Sequence, residues 1–146
     1  MSRLAIYESE AVTVVFGGLT LGEGRAEDFF SIEPAGPAYV AEGPGADGHV
    51  AFCGTNNNLY NITLSFKGTS EEHARLSAIH IADRTQTNGS GVAPFFVKDA
   101  NGSTIIATDR ARIVAMPTQT FGVTKGDVDW EFLAIIEPGG FVLGGN

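Results

Sequence analysis

The residues of this 146-residue chain whose types could do chemistry are a glycine-rich run, a stripe of acids, three histidines and one cysteine. Gly43-Pro44-Gly45-Ala46-Asp47-Gly48 carries the letters of the dinucleotide fingerprint, whose glycines bring the backbone against a pyrophosphate at a helix N-terminus. Here an alternating run follows, His49 to Cys53, which reads as a strand, so no helix N-terminus is offered to a phosphate. Asp127, Asp129 and Glu131 fall on one face of a predicted strand, about 7 Å apart at a rise near 3.4 Å per residue. Carboxylates at that spacing could share a hard cation, but calcium loops wrap oxygens around the ion and an extended strand does not. A solvated acidic stripe is the expectation. His49, His73 and His80 show neither H-x-H nor H-E-x-x-H spacing, and a lone cysteine completes no zinc set. His73 and His80 lie one heptad apart on a predicted helix and read as polar-face residues. Ser90 stands in Gly89-Ser90-Gly91 without the strand-to-helix elbow of a hydrolase nucleophile. Asn61, Asn88 and Asn101 have the letters of glycosylation acceptors, which carry no meaning without a secretion signal. Cys53 cannot form an internal disulfide and is expected to be buried as a small hydrophobe. No catalytic constellation emerges, and the reading is of a protein that is not an enzyme and needs no cofactor or metal.

The totals bound what must position these residues. The length and a hydrophobic content of 43% suit a single domain over 1–146 with one core. Only 9 Lys and Arg stand against 17 Asp and Glu, a formal charge of −8, which argues against a module that grips nucleic acid by its phosphates. The same acid surplus suits a surface that must not stick to nucleic acid. No basic-plus-apolar leader and no apolar run of roughly 18 residues is present, so membrane insertion is not expected.

Short β-branched and aromatic runs punctuated by glycine predict a mainly β fold, a sandwich or barrel of antiparallel strands with one helix. Leu59 to Lys67 alternates cleanly, Tyr60, Ile62, Leu64 and Phe66 against Asn61, Thr63, Ser65 and Lys67. Thr69 and Glu72 stand at capping-box spacing and predict a helix over about Ser70–Asp83. Its apolar residues, among them Leu76 and Ile79, are not confined to one stripe, so two of its sides are expected to be covered. Ala11 to Phe16, Gly17-Gly18 and Leu19 to Leu21 predict a hairpin. Pro34 to Gly48, rich in Pro, Gly and Ala around Tyr39 and Val40, reads as a long loop. The last strand, Gly126 to Glu137, turns Val128, Trp130, Phe132, Ala134 and Ile136 one way and its acids the other. The tail from Pro138 to Asn146 holds Phe141, Val142 and Leu143 and reads as an arm that docks on something.

Several segments together resemble a known family. They are Val12-Thr-Val-Val-Phe-Gly-Gly18, Gly45-Ala-Asp-Gly48 before a strand, and Asn61-Ile-Thr-Leu-Ser-Phe66 leading to Thr69-Ser70. Gly91-Val-Ala-Pro-Phe-Phe-Val-Lys-Asp-Ala-Asn-Gly-Ser-Thr104 and Phe141-Val-Leu-Gly-Gly-Asn146 are the more specific. Over most of its length the chain resembles the tail-tube proteins of contractile-tailed bacteriophages. The resemblance implies a virion protein of the tail, assembled in the host cytoplasm, whose hexameric rings stack into a conduit for DNA. Its partners would be further copies of itself, the tail sheath, and baseplate or terminator proteins, with genomic DNA passing through without specific binding. Contacts between copies would then fall to Tyr39, Val40, Leu76, Ile79, Phe141, Val142 and Leu143. The lumen would fall to Asn61, Thr63 and Ser65 or to Asp127, Asp129 and Glu131, and the sequence leaves both strand faces open. The readings set against this one are a carbohydrate-binding β-sandwich, with Tyr39, Tyr60 or Trp130 as an aromatic platform, and a capsid decoration protein.

Overall fold

The computed structural model describes residues 12–22, 25–43, 45–86, 91–100, 102–119, 121–123 and 126–144, with backbone alone for 26–28. Ser90, Asn88 and Asn101 lie outside the described residues.

Strands β1 (Val12–Phe16) and β2 (Leu19–Thr20) form the expected hairpin. The turn between them needs positive φ at both central residues, and Gly17 and Gly18 supply it at +60° and +84°. Next come β3 (Arg25–Pro34), β4 (Tyr39–Glu42), β5 (Ala51–Gly54) and β6 (Leu59–Phe66). Helix α1 (Glu72–Thr85) is followed by β7 (Ala93–Asp99), β8 (Ile105–Ile113), β9 (Val128–Ile135) and β10 (Phe141–Val142). The main sheet is antiparallel in the order β2-β1-β7-β8-β9-β6-β3, with β10 added to β8, and β4 and β5 form a separate two-stranded sheet.

Alternation fixes which side of the sheet is dry. Ile62, Leu64 and Phe66 of β6 and Val128, Trp130, Phe132 and Ala134 of β9 are buried, as their spacing predicts. Phe16, Phe95 and Phe132, from β1, β7 and β9, meet at centroid separations of 5.0 to 6.0 Å, two of the three contacts edge-on. Phe30 of β3, at the far end of the sheet from β1, stacks on Phe95 at 6.4 Å. The sheet is therefore rolled around one core. It is not closed: among the described residues β3 pairs with β6 alone and β2 with β1 alone, so the mainly β expectation is met while no closed barrel forms.

The helix packs against the core of this roll. Glu72, Leu76, His80 and Asp83 are buried, one face at spacings of four, four and three, whereas Ala74, Ala78, Ile81 and Ala82 are exposed. The predicted Thr69–Glu72 capping box is not what starts it. Ser70 Oγ accepts the Glu72 N–H at 3.2 Å, Glu71 is already helical in φ and ψ, and the buried Glu72 carboxylate accepts from Arg75 at 2.9 Å. Thr69 is exposed, and the helix begins two residues later than the box requires. Two further expectations are corrected. Leu76, assigned to contacts between copies, is 0% exposed within its own core. His73 and His80 are not polar-face residues: His80 is buried and His73 is half-buried against Trp130.

Candidate functional site

The strongest departure from a self-contained fold is the β4–β5 hairpin. The predicted loop at Pro34 to Gly48 contains a strand, and Tyr39, Val40, Ala41 and Glu42 pair with Gly54, Cys53, Phe52 and Ala51. Its base is clipped by Thr55, whose N–H and hydroxyl both donate to the Ala38 carbonyl and whose hydroxyl also reaches the Pro37 carbonyl. Its tip turns at Gly45–Gly48, with Gly48 at φ +78° and Asp47 Oδ1 accepting from His49 N. Directly opposed residues share a face, so Tyr39, Ala41 and Phe52 stand together, with the Tyr39 ring resting over Gly54. Phe52 is 82% and Tyr39 69% exposed. Cys53, expected in the core, is exposed on the other face beside Val40. Alternation in His49 to Cys53 reported a strand correctly, but Phe52 and Cys53 are left exposed by the described residues. A free two-stranded hairpin is marginal in water, and large apolar side chains at its surface are the mark of an interaction site.

The C-terminal arm behaves differently. Phe141 and Val142 pair with Ile106 and Ile105, the Phe141 ring packs on Tyr60 at 5.7 Å, and Thr104 and Gly144 exchange hydrogen bonds of 2.8 and 3.1 Å. The arm docks on its own sheet. Val142 and Leu143 nevertheless remain exposed, Leu143 by 80%, while Ile79 is partly buried against the core.

The two strand faces held apart by the sequence turn out to be one. Register places Thr63 opposite Glu131 and Ser65 opposite Asp129, and Ser65 Oγ donates to Asp129 Oδ1 at 2.5 Å. On the other side of β6, Ser31 and Glu33 of β3 stand opposite Thr63 and Asn61. Asn61, Thr63, Ser65, Asp129 and Glu131 thus share a polar, acid-rich face that also takes in Ser31 and Glu33, which sequence reasoning missed although their alternation with Ile32 signals it. Asp127 is exposed and joins Asp129 and Glu131 along a groove of about 300 Å³ beside Ala115–Thr118. Among the described residues, no three His, Cys, Asp or Glu side chains stand together as metal ligands.

A second cleft, of about 390 Å³, lies between the C-terminal half of α1 and the segment after β8. Its framework is the Asp83–Arg112 pair: the guanidinium donates to both carboxylate oxygens at 2.6 and 3.0 Å, and Gly91 N–H adds a third bond at 3.1 Å. The Arg112 hydrogen bonds hold the Asp83 carboxyl below its ordinary value against the opposing cost of burial, and the same contact raises the guanidinium of Arg112. Gly91 is required here, since a Cβ would sit 2.2 Å from Asp83 Cγ. His80, Ile113, Val114, Met116 and Leu133 complete an apolar floor, and the exposed Arg84 stands at the rim with no ion pair among the described residues. His80 Nδ1 is buried without a hydrogen-bond partner among the described residues. Among the described residues, no nucleophile stands beside a base in the cleft.

Trp130, weighed as a sugar platform, is 1% exposed. Its Nε1–H donates to His73 Nδ1 at 3.0 Å, and His73 Nε2 lies 2.8 Å from the Lys67 carbonyl. In that arrangement Nδ1 accepts from the indole, and Nε2 is the ring nitrogen placed to donate to the Lys67 carbonyl.

No family model matches the chain. The chain is similar to structural protein ORF10 of Pseudomonas phage KPP10, 25% identical over 134 residues, which cover 88% of this chain and 77% of that protein. Its fold is similar to the cryo-EM structure of the anti-feeding prophage cap, a tube-terminating cap, with a TM-score of 0.53 and 13% identity over 92% of this chain and 90% of that one. The likeness to a phage structural protein read from the sequence is borne out by the first comparison, and the second shows a shared fold.

Proposed function

We propose that this chain is a subunit of a contractile phage tail tube, closing into hexameric rings that stack into a conduit for DNA. The observation that carries the reading is the β4–β5 hairpin, which leaves Tyr39, Val40 and Phe52 exposed among the described residues. Free energy of about 25 cal/mol per Å² of apolar surface removed from water favours covering such residues, and further copies of the chain are the partners a tube requires. The bare side of α1, with Ala74, Ala78, Ile81 and Ala82, and the exposed Val142 and Leu143 extend the surface that neighbours would cover. The acid-rich face of β3, β6 and β9 is the candidate lumen, where like charge keeps DNA from adhering. Sheath, baseplate and terminator proteins would meet the outside and the ends of the tube.

Likeness to a tube-terminating cap favours a second reading, a ring that ends a tube instead of building it. Negative-stain electron microscopy of the purified chain tests both. Tubes of varying length support the first reading, and isolated rings that bind only the ends of tubes support the second. A strictly monomeric species at all concentrations overturns the two together.

A further inference from the structure

We infer that the cleft beside α1 is the receptor for the β4–β5 hairpin of a second copy of this chain, an inference that rests on the self-assembly proposed above. Two complementarities point to it. The first is shape and polarity: the hairpin offers an aromatic face of Tyr39 and Phe52, and the cleft offers about 390 Å³ over an apolar floor of Ile113, Val114, Met116 and Leu133. The second is charge. Residues 39–54 contain Glu42 and Asp47 and no lysine or arginine, while the cleft rim carries Arg84 and the half-exposed Arg112 against, among the described residues, the carboxylate of Asp83 alone. In a chain of formal charge −8 this is an unusual local surplus of guanidinium over carboxylate. It matches an acidic, aromatic segment, and the protein itself carries one.

The neighbouring groove cannot serve as the receptor, because its walls include Asp127, Asp129 and Glu131 and would repel Glu42 and Asp47. Hairpin and cleft are different surfaces, and where the receiving copy passes its own hairpin to a third copy the contact is head-to-tail and its repetition generates a ring or a stack. Seating Phe52 beside Arg84 also places a guanidinium within reach of an aromatic ring, a pairing favourable when desolvated.

Two variants test this in the full chain. In a Cys53→Ser background, Phe52→Cys and Met116→Cys are combined and the assembled particles are mildly oxidised. A ladder of disulfide-linked multimers on a non-reducing gel is the expected result. Separately, Arg84→Glu is expected to raise the concentration needed for assembly about tenfold or more, by setting like charges against each other, whereas Lys98→Glu, at an exposed site on β7, leaves it unchanged. Particles that form normally but give no ladder, with Arg84→Glu assembling like the unaltered chain, overturn this docking and leave the tube reading standing. A chain that never leaves the monomer overturns both.

Discussion

At the scale of single residues, the polar groups of the helix decide how it is held. The Trp130 indole is enclosed and its N–H has one acceptor, His73 Nδ1. His73→Phe keeps a ring against Trp130 and removes that acceptor, at a cost of about 1–3 kcal/mol for an unsatisfied buried donor. Trp130 is the only tryptophan, so the midpoint of denaturant unfolding followed by its fluorescence checks the value directly. Asp83 ties the end of α1 to Gly91 and Arg112, and its carboxyl is held below the ordinary carboxylate value. A depressed carboxyl stabilises the fold above the unfolded value, near pH 4, and that contribution fades as pH falls through the folded value. Asp83→Asn keeps an acceptor for Gly91 but loses the charged pair. Its melting temperature is therefore expected to lie below that of the unaltered chain at pH 7, and the gap to shrink as thermal melts are repeated below pH 4. None of these pairings was legible in the sequence. A histidine on a helix and an arginine on a strand are polar-face residues by pattern, and only the roll of the sheet brings Trp130 and Asp83 to meet them.

At the scale of elements, β6 and β9 were legible because strict alternation over eight residues declares a dry face and a wet one. The helix was legible to within two residues at each end, from the gap between breakers more than from its cap. The hairpin was legible only in part. Alternation found the strand at β5, but Pro, Gly and Ala hid its partner β4, and a repeat of two says which side chains share a face without saying what covers that face. Cys53 was misplaced for this reason: it alternates like a core residue and stands in solvent. Its exposure makes it a reporter. In the monomer a thiol reagent is expected to reach the exposed Cys53, and assembly that covers the Val40–Cys53 face of the hairpin is expected to slow that reaction sharply. Equal rates for dispersed and assembled chains, followed by mass spectrometry, would show that this face stays uncovered and leave only the opposite face, with Tyr39 and Phe52, for contacts between copies.

At the scale of the whole molecule, the rolled sheet and helix bury Phe16, Phe95, Phe132 and Trp130 completely, so the chain has a core of its own. What it lacks is cover at its periphery. The arm expected to reach a neighbour is instead half covered at home, with Phe141 seated on Tyr60, whereas the β4–β5 hairpin leaves Tyr39 and Phe52 exposed. The hairpin exposes the aromatic pair Tyr39 and Phe52, whereas the joined face of β3, β6 and β9 carries Glu33, Asp129 and Glu131. A lumen demands that second kind of surface, exposed after assembly and repulsive to phosphate. If this face lines the channel, Glu33→Lys, Asp129→Lys and Glu131→Lys together change no contact between copies and leave tube formation intact. They turn three carboxylates per chain into ammonium groups inside a narrow conduit, where phosphates would displace counterions and bind. Tubes of the triple variant are therefore expected to retain double-stranded DNA on co-sedimentation at 50 mM salt and to release most of it as salt rises to roughly 200 mM, the range over which phosphate contacts weaken most steeply. Tubes of the unaltered chain should retain none at either salt. Loss of assembly in the triple variant would place this face between copies, and DNA retained equally by both kinds of tube would place it on neither the lumen nor any surface that DNA meets.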